Sequence, residues 1–263
     1  MNAPELKALK FEEVEPGICL VTIDNPKALN ALTLEMQADL LTFAKFMNEN
    51  DEARVGIITG AGEKSFISGI DLGGIDPDAG GWWGFNPLKD ACAAIEACHK
   101  PIIAMINGYC IGGGIELASS CDLRIFADTA KVSLPELGLG FIPGAGGLQR
   151  LTRLCGVSVA KKFAFSGRKF MGEELKQMNL AYDVVPQDQL FETTMEVARR
   201  IANEMAPLAV AYAKFMSNNG IDMDRANALA VEDIVGKALS FTEDCEEGPK
   251  AFLEKRPKNF KGR

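Results

Sequence analysis

The chain has a single histidine, no C-x-x-C pair among its seven cysteines, fewer basic than acidic residues, and no apolar run that approaches the length of a membrane span. Each shortage removes a class of function. With only His99 available, a histidine-based triad or an imidazole metal cluster would rest on one residue, and His99 stands beside Lys100 at an element boundary, where a surface position is expected. The cysteines at 19, 92, 98, 110, 121, 155 and 245 are odd in number and lie mostly among apolar neighbours, as reduced, buried thiols do. Against 36 acidic residues stand 28 basic ones, and the formal net charge of -8 argues against general nucleic-acid binding, which depends on Lys and Arg. Met1 to Lys7 has neither the apolar core of a signal peptide nor an Arg-rich, acid-poor transit character, so a cytoplasmic protein without membrane contact is expected.

What is present suits a substantial core. The 263 residues, 47% of them hydrophobic, fit one large domain or a domain with an appendage. The most informative stretch is Lys100 to Ala118. Ile102 to Ile106 is a continuous apolar run suited to a strand buried on both faces; Asn107-Gly108 breaks it; Gly112, Gly113 and Gly114 then open an apolar segment that holds one acid, Glu116. Strand, loop and helix are expected in that order. Three successive glycines fit either a backbone that something must approach closely, such as an anion at a helix N-terminus, or tight backbone packing with Glu116 as a solvated first-turn acid.

Two strands are expected at Phe11 to Val14 and Ile18 to Ile23 across Glu15-Pro16-Gly17, then a helix capped by Thr33 with Met36, Leu40, Phe43 and Met47 on one face, then a strand from Arg54 to Thr59. Gly60-Ala61-Gly62-Glu63-Lys64-Ser65 matches neither phosphate signature. Glu63 separates Gly62 from Lys64-Ser65, and Ser65 replaces the third glycine of a dinucleotide fingerprint, which removes the reading of a nicotinamide-dependent dehydrogenase. Phe66 to Leu72 reads as a short extended segment turning at Gly69, exposing the N–H of Ile70 at a sheet edge.

Residues 73–87 form a Gly- and Pro-rich loop with Trp82, Trp83 and Phe85, either a lid or pocket wall or a hydrophobic plug or subunit contact. A helix over about 88–98 precedes the central stretch, and Cys121 to Ala127 is a further strand. Glu136 has apolar and glycine neighbours from Leu134 to Gly147; such company raises the pKa of a carboxyl and keeps a proton available near neutrality, unless Glu136 is an ordinary loop acid. From about 148 onward the pattern is helical apart from Tyr182 to Val185. Val197, Ile201 and Met205 share one helical face, Ala230, Ile234, Ala238 and Phe241 another, and Ser240 with Glu243 has capping-box spacing for a last helix. A layered α/β core with a helical C-terminal appendage follows.

Three stretches taken together resemble the enoyl-CoA hydratase/isomerase, or crotonase, family: Phe66 to Leu72, Asn107 to Ala118, and Pro135 to Leu151, supported by Asn25 to Leu32 and Ala251 to Arg256. The resemblance implies an α/β spiral of repeated strand-strand-helix units over residues 1–195, and a helical region over 196–263 that builds trimers or dimers of trimers. It implies an oxyanion hole from the backbone N–H groups of Ile70 and Gly113, catalytic acids at Glu116 and Glu136, and CoA contacts from Lys27, Ala28, Leu29, Ser68, Asp71, Phe252 and Lys255. The implied reaction is reversible syn hydration of a short-chain trans-2-enoyl-CoA, as in fatty acid metabolism, with the thioester as substrate and no metal or other cofactor. The alternatives are isomerisation or hydration of a cyclic or aromatic acyl-CoA on the same scaffold, and, from a different class, a non-catalytic or RNA-binding homologue; both acids argue against the former of these two, acidic charge against the latter.

Overall fold

The computed structural model describes residues 1–74 and 86–263. The chain opens with an antiparallel hairpin, β1 (Leu9–Glu15) and β2 (Ile18–Ile23), turned at Pro16-Gly17. Gly17 has φ +78°, and a Cβ there would lie 2.8 Å from Cγ of Arg54, so the turn favours glycine twice over.

Three similar turns of chain follow. Helix α1 (Leu34–Glu49) leads to β3 (Val55–Gly60) and the short β4 (Ser65–Ile67); α2 (Pro87–Ala97) leads to β5 (Ile102–Ile106) and β6 (Tyr109–Ile111); α3 (Gly113–Ser120) leads to β7 (Leu123–Ala127) and β8 (Lys131–Ser133). The first strand of each pair enters one sheet and the second enters another. The larger sheet runs β1-β2-β3-β5-β7-β9, with β9 at Asp183–Val185, and is parallel from β2 onward; β4-β6-β8 is a separate three-stranded parallel sheet. A strand-strand-helix unit therefore repeats as a spiral, as expected. Every residue of β3 and β5 is buried, because both strands have neighbours on each side and layers above and below. That is why their sequences are continuous apolar runs instead of alternating ones.

Two asparagines tie successive turns together. Nδ2 of the buried Asn107 donates to the carbonyls of Gly60, Gly62 and Ser65, while its Oδ1 accepts from the N–H of Gly60. Asn30, fully buried at φ +59°, donates to the carbonyls of Ala61 and Ser65 and accepts from the N–H of Asn25. Buried carbonyls at the crossing between sheets are thereby paired.

The remaining helices are α4 (Gly147–Cys155), α5 (Val157–Ser166), α6 (Glu173–Gln177), α7 (Leu190–Glu204), α8 (Pro207–Asn219), α9 (Arg225–Leu239) and α10 (Glu243–Glu254). Helix α7 passes through residue 195 and packs on β2, β3, β5 and β7. Helices α8 and α9 bury no residue fully. Nζ of Lys214 anchors α8, donating to the carbonyls of Ile95 and Lys100 and pairing with Asp122 at 2.8 Å.

Several local expectations hold and three are corrected. Oγ1 of Thr33 accepts from the N–H of Met36, and His99 is exposed. Five of the seven cysteines are buried, and all are free thiols. Between β5 and α3, however, Tyr109–Ile111 is a strand, not loop: its three residues pair with β4 and β8 across glycine-flanked backbone. The cap of α10 is Thr242, whose hydroxyl accepts from the N–H of Cys245, whereas Ser240 turns its hydroxyl back to the carbonyl of Lys237. In α9 the half-buried residues are Ala228, Val231, Val235 and Leu239, while Ile234 and Phe241 are 65% and 89% exposed. Alanine and valine occur on both sides of that helix, so its sequence does not choose the inward face. Among the described residues, no helix is long and apolar enough to cross a membrane.

Candidate active site

The site forms where β6 runs into α3. Gly112 adopts φ +54°, ψ -116°, and donates its N–H to the carbonyl of Ser133 at 3.0 Å, which anchors the loop to β8. A Cβ at Gly112 would stand 2.8 Å from Oε1 of Glu136; at Gly113, 2.9 Å from Cδ2 of Leu88; at Gly114, 2.6 Å from the carbonyl oxygen of Ile67. The tight-packing reading of the triplet holds at Gly114, but Glu116 is buried and not a solvated acid. Gly114 packs on backbone and Gly113 on the side chains of Leu88 and Ile70, while a side chain at Gly112 would meet Glu136 at the edge of a cavity.

That cavity, of about 150 Å³, is lined by Ser68, Gly69, Ile70, Gly112, Gly113, Glu116 and Glu136, with Leu139, Phe141 and Ile142 across from them. Gly113 is the first residue of α3, so its N–H is one of the helix's unpaired donors. Ile70 forms a parallel bridge with Leu32: the carbonyl of Gly69 accepts from Leu32, and the N–H of Asp71 donates back to it. In such a bridge the N–H of the middle residue, Ile70, points to the opposite side. Gly69, at φ +124°, provides the turn that was expected before it.

The two acids differ in surroundings. Glu116 is 2% exposed, and its Oε1 accepts from the N–H of Ala145 at 2.7 Å and of Gly147 at 3.0 Å, at the start of α4. Burial raises its pKa above the ordinary carboxylate value, and the amides of Gly147 and Ala145, then the charge of Arg150, oppose the rise. Both amides bind the same oxygen, Oε1, and Glu116 is among the residues that line the cavity. Glu136 is 7% exposed, and its Oε2 has no hydrogen-bond partner among the described residues. Burial pushes its pKa up to about 7; its own backbone amide opposes the rise, and the charge of Glu116 adds to it. One acid is braced by donors and the other is left to hold a proton. Such a split is what acid–base chemistry at neutral pH requires.

The sequence model of the enoyl-CoA hydratase/isomerase family matches residues 13–263. The chain belongs to this family. Among its relatives, the short-chain-enoyl-CoA hydratase of Clostridium acetobutylicum is 38% identical over 256 residues, covering 95% of this chain and 97% of that one. The crotonyl-CoA hydratase of Syntrophomonas wolfei is 36% identical over 255 residues, covering 94% and 96%. The crystal structure of an enoyl-CoA hydratase from Bacillus anthracis superposes with a TM-score of 0.91 at 35% identity, covering 98% of this chain and 100% of that one. The spiral described above is the family's crotonase fold.

The family's other expected positions are distributed unevenly. Lys27, Ala28 and Leu29 are exposed on a short turn that lies against the cavity segment: Oγ of Ser68 donates to the carbonyl of Ala28, and Oγ of Ser65 to that of Leu29. Asp71 turns its carboxylate to the N–H of Gly73 and does not line the cavity. Phe252 and Lys255 sit at the end of α10, exposed and away from the cavity lining of the single chain. Trp82, Trp83 and Phe85 lie outside the described residues. Sequence reading did not assign roles to Asn86, which caps α2 and lines the cavity, or to Leu139 and Ile142, whose apolar side chains in a glycine-rich loop were the available signal.

Proposed function

We propose that the cavity binds the acyl end of a trans-2-enoyl-CoA and that Glu116 and Glu136 add water across its 2,3-double bond. The protein is an enoyl-CoA hydratase. One observation carries the residue assignment: two buried carboxyls of opposite environment face one cavity that also receives main-chain N–H groups. The thioester oxygen accepts hydrogen bonds from the N–H of Ile70 and Gly113, so enolate charge developing in the transition state meets fixed donors and the positive end of α3. Glu116, ionised, takes a proton from the attacking water as its oxygen bonds to C3. Glu136, protonated, delivers its proton to C2, and both additions occur from the same face. The reverse reaction exchanges these roles. The reaction itself calls for no metal or redox cofactor, because the CoA thioester supplies the electron sink.

The named relatives and the small cavity support a short acyl chain, crotonyl-CoA being the simplest. Lys27, Ala28, Leu29 and Ser68, on neighbouring turns beside the cavity, form the surface for the nucleotide end of CoA in this reading. Residues 196–263 make the oligomer contacts: Phe241, Phe252 and Leu253 are each more than three-quarters exposed, at 89%, 78% and 79%, a burden that contact between copies would relieve. Phe252 and Lys255 then reach a neighbouring copy's CoA.

Glu116→Gln keeps the side chain's shape and an acceptor for the Ala145 and Gly147 amides but removes the base. Hydration should fall about 10²–10⁴-fold. Binding of a CoA ester, measured by calorimetry, should change little. Near-normal turnover would remove Glu116 from the mechanism.

A further inference from the structure

The guanidinium of Arg150 occupies an unexpected place. Arg150 lies in the first turn of α4, and its side chain folds back toward the N-terminus of that helix, where the dipole disfavours a cation. Its Nη1 donates to the carbonyl of Ala145 at 2.5 Å, and its Nε and Nη2 both donate to Oε2 of Glu96 on α2, at 3.2 and 2.8 Å. Gly146, between the two residues whose amides hold Glu116, has φ +93°, and a Cβ there would lie 2.6 Å from Nη1 of Arg150. The loop conformation, the missing side chain and the guanidinium therefore fit one another closely. Helix stability does not explain the arrangement, since it places positive charge at the wrong end.

We propose that Arg150, held in place by Glu96, is the positioning residue for Glu116: it fixes the Ala145–Gly146 segment so that the loop amides of Ala145 and Gly147 converge on one carboxylate oxygen and aim the other at substrate. This rests on the reading of Glu116 as base. Ala145 is linked on its N–H side to Glu116 and on its carbonyl side to Arg150, so a rotation of that segment loosens both contacts together. Gly147 adds a steric stop, because a Cβ there would lie 2.8 Å from Cγ of Glu116. Arg150 touches no reacting atom; it acts through the peptide.

The charged and titratable groups that face Glu116 are Glu136, Arg150 on α4, and the buried thiol of Cys92 on α2, with Glu96 behind Arg150. The thiol, pushed up to about 12 by burial, stays neutral throughout the working range. Arg150 is then the cation among these groups, and its removal makes Glu116 easier to protonate. Because hydration needs Glu116 ionised, the acidic limb of kcat/KM against pH must move upward.

The test uses full-length protein with crotonyl-CoA. Arg150→Met should lower kcat at least tenfold with KM changed less than twofold, and should shift the acidic limb to higher pH. Arg150→Lys, which keeps the charge but not the fork, should restore the limb and only part of kcat. Glu96→Gln should lower kcat in the same direction as Arg150→Met but by less. If Arg150→Met does not fold, the lysine and Glu96 variants decide alone. A kcat within twofold of the parent and an unmoved acidic limb in the variants that fold would overturn the proposal. If the parent protein fails to hydrate crotonyl-CoA, the functional reading is what fails; ¹³C-carboxyl labelling of glutamate, with Glu116→Gln to assign the signal, then reads directly whether Arg150→Met raises the titration of Glu116.

Discussion

Glu136→Gln is expected to suppress hydration about 10²–10⁴-fold and, above pH 7, to make the folded protein more stable than its parent. The two effects have one cause. In the fold, burial raises the Glu136 carboxyl from 4.5 to about 7, so between those values the native state binds a proton that the unfolded chain has released. Stability therefore falls as pH rises through that window, and the whole penalty is present above the folded value. A rise from 4.5 to about 7 corresponds to on the order of 3 kcal/mol. Glutamine carries no charge at any pH, yet its amide is still a buried polar group, so the net gain expected at pH 8 is about 1–2 kcal/mol. Below pH 4.5 the ionisation penalty is gone, and the cost of burying the amide should leave the variant slightly the less stable of the two. Urea unfolding of both proteins at pH 4.5 and 8 measures it. A difference independent of pH would mean that Glu136 is not the group whose ionisation the fold resists.

The second large effect concerns the junction between the two sheets. A Cβ at Gly108 would lie 2.2 Å from the carbonyl carbon and oxygen of Lys64 and 2.6 Å from the amide nitrogen of Ser65. All three are backbone atoms, so no side-chain rotation relieves the overlap. Ser65 pairs with Tyr109, and the N–H of Tyr109 donates to the carbonyl of Lys64, which makes this contact the start of the three-stranded sheet. Gly108→Ala must push β4 from β6 and strain the Asn107 hydrogen bonds beside it. The expected cost is at least about 3 kcal/mol, which for a chain of this size lowers Tm by roughly 6–12 °C. Because the displaced strands lead to Ile70 and Gly113, activity should fall as well. A Tm within about 2 °C of the parent would show that the junction can yield.

Much of this architecture is legible in the chain. The apolar run at Ile102–Ile106 announces a strand covered on both faces, Arg54 to Thr59 announces another strand, and Thr33, Met36 and Leu40 announce α1. The apolar company of Glu136 gives the direction in which its carboxyl shifts before any coordinates are known. Tyr109–Ile111 is not legible, because a three-residue strand carries no periodicity and its glycine neighbours read as loop. Nor is the cap of α10: Ser240 and Thr242 are both good caps, and the choice depends on where α9 stops. Arg150 escapes notice for a different reason. Its anchor, Glu96, lies 54 residues away, and the group it holds is a main-chain carbonyl that has no sequence signature. The glycine triplet shows the intermediate case, since sequence says that side chains are unwelcome and only the structure says what excludes each: Glu136 at Gly112, Leu88 and Ile70 at Gly113, and the β4 backbone at Gly114.

The central claim is that this pair of carboxyls adds water to a conjugated thioester. The most direct measurement mixes the purified protein with crotonyl-CoA, follows the loss of the enoyl-thioester absorbance, and identifies the product by mass. The account predicts 3-hydroxybutyryl-CoA, heavier than the substrate by one water, formed rapidly by the parent protein and at a rate lower by about 10²-fold or more with Glu116→Gln or Glu136→Gln. A product of unchanged mass, or hydration that survives both substitutions, would contradict it.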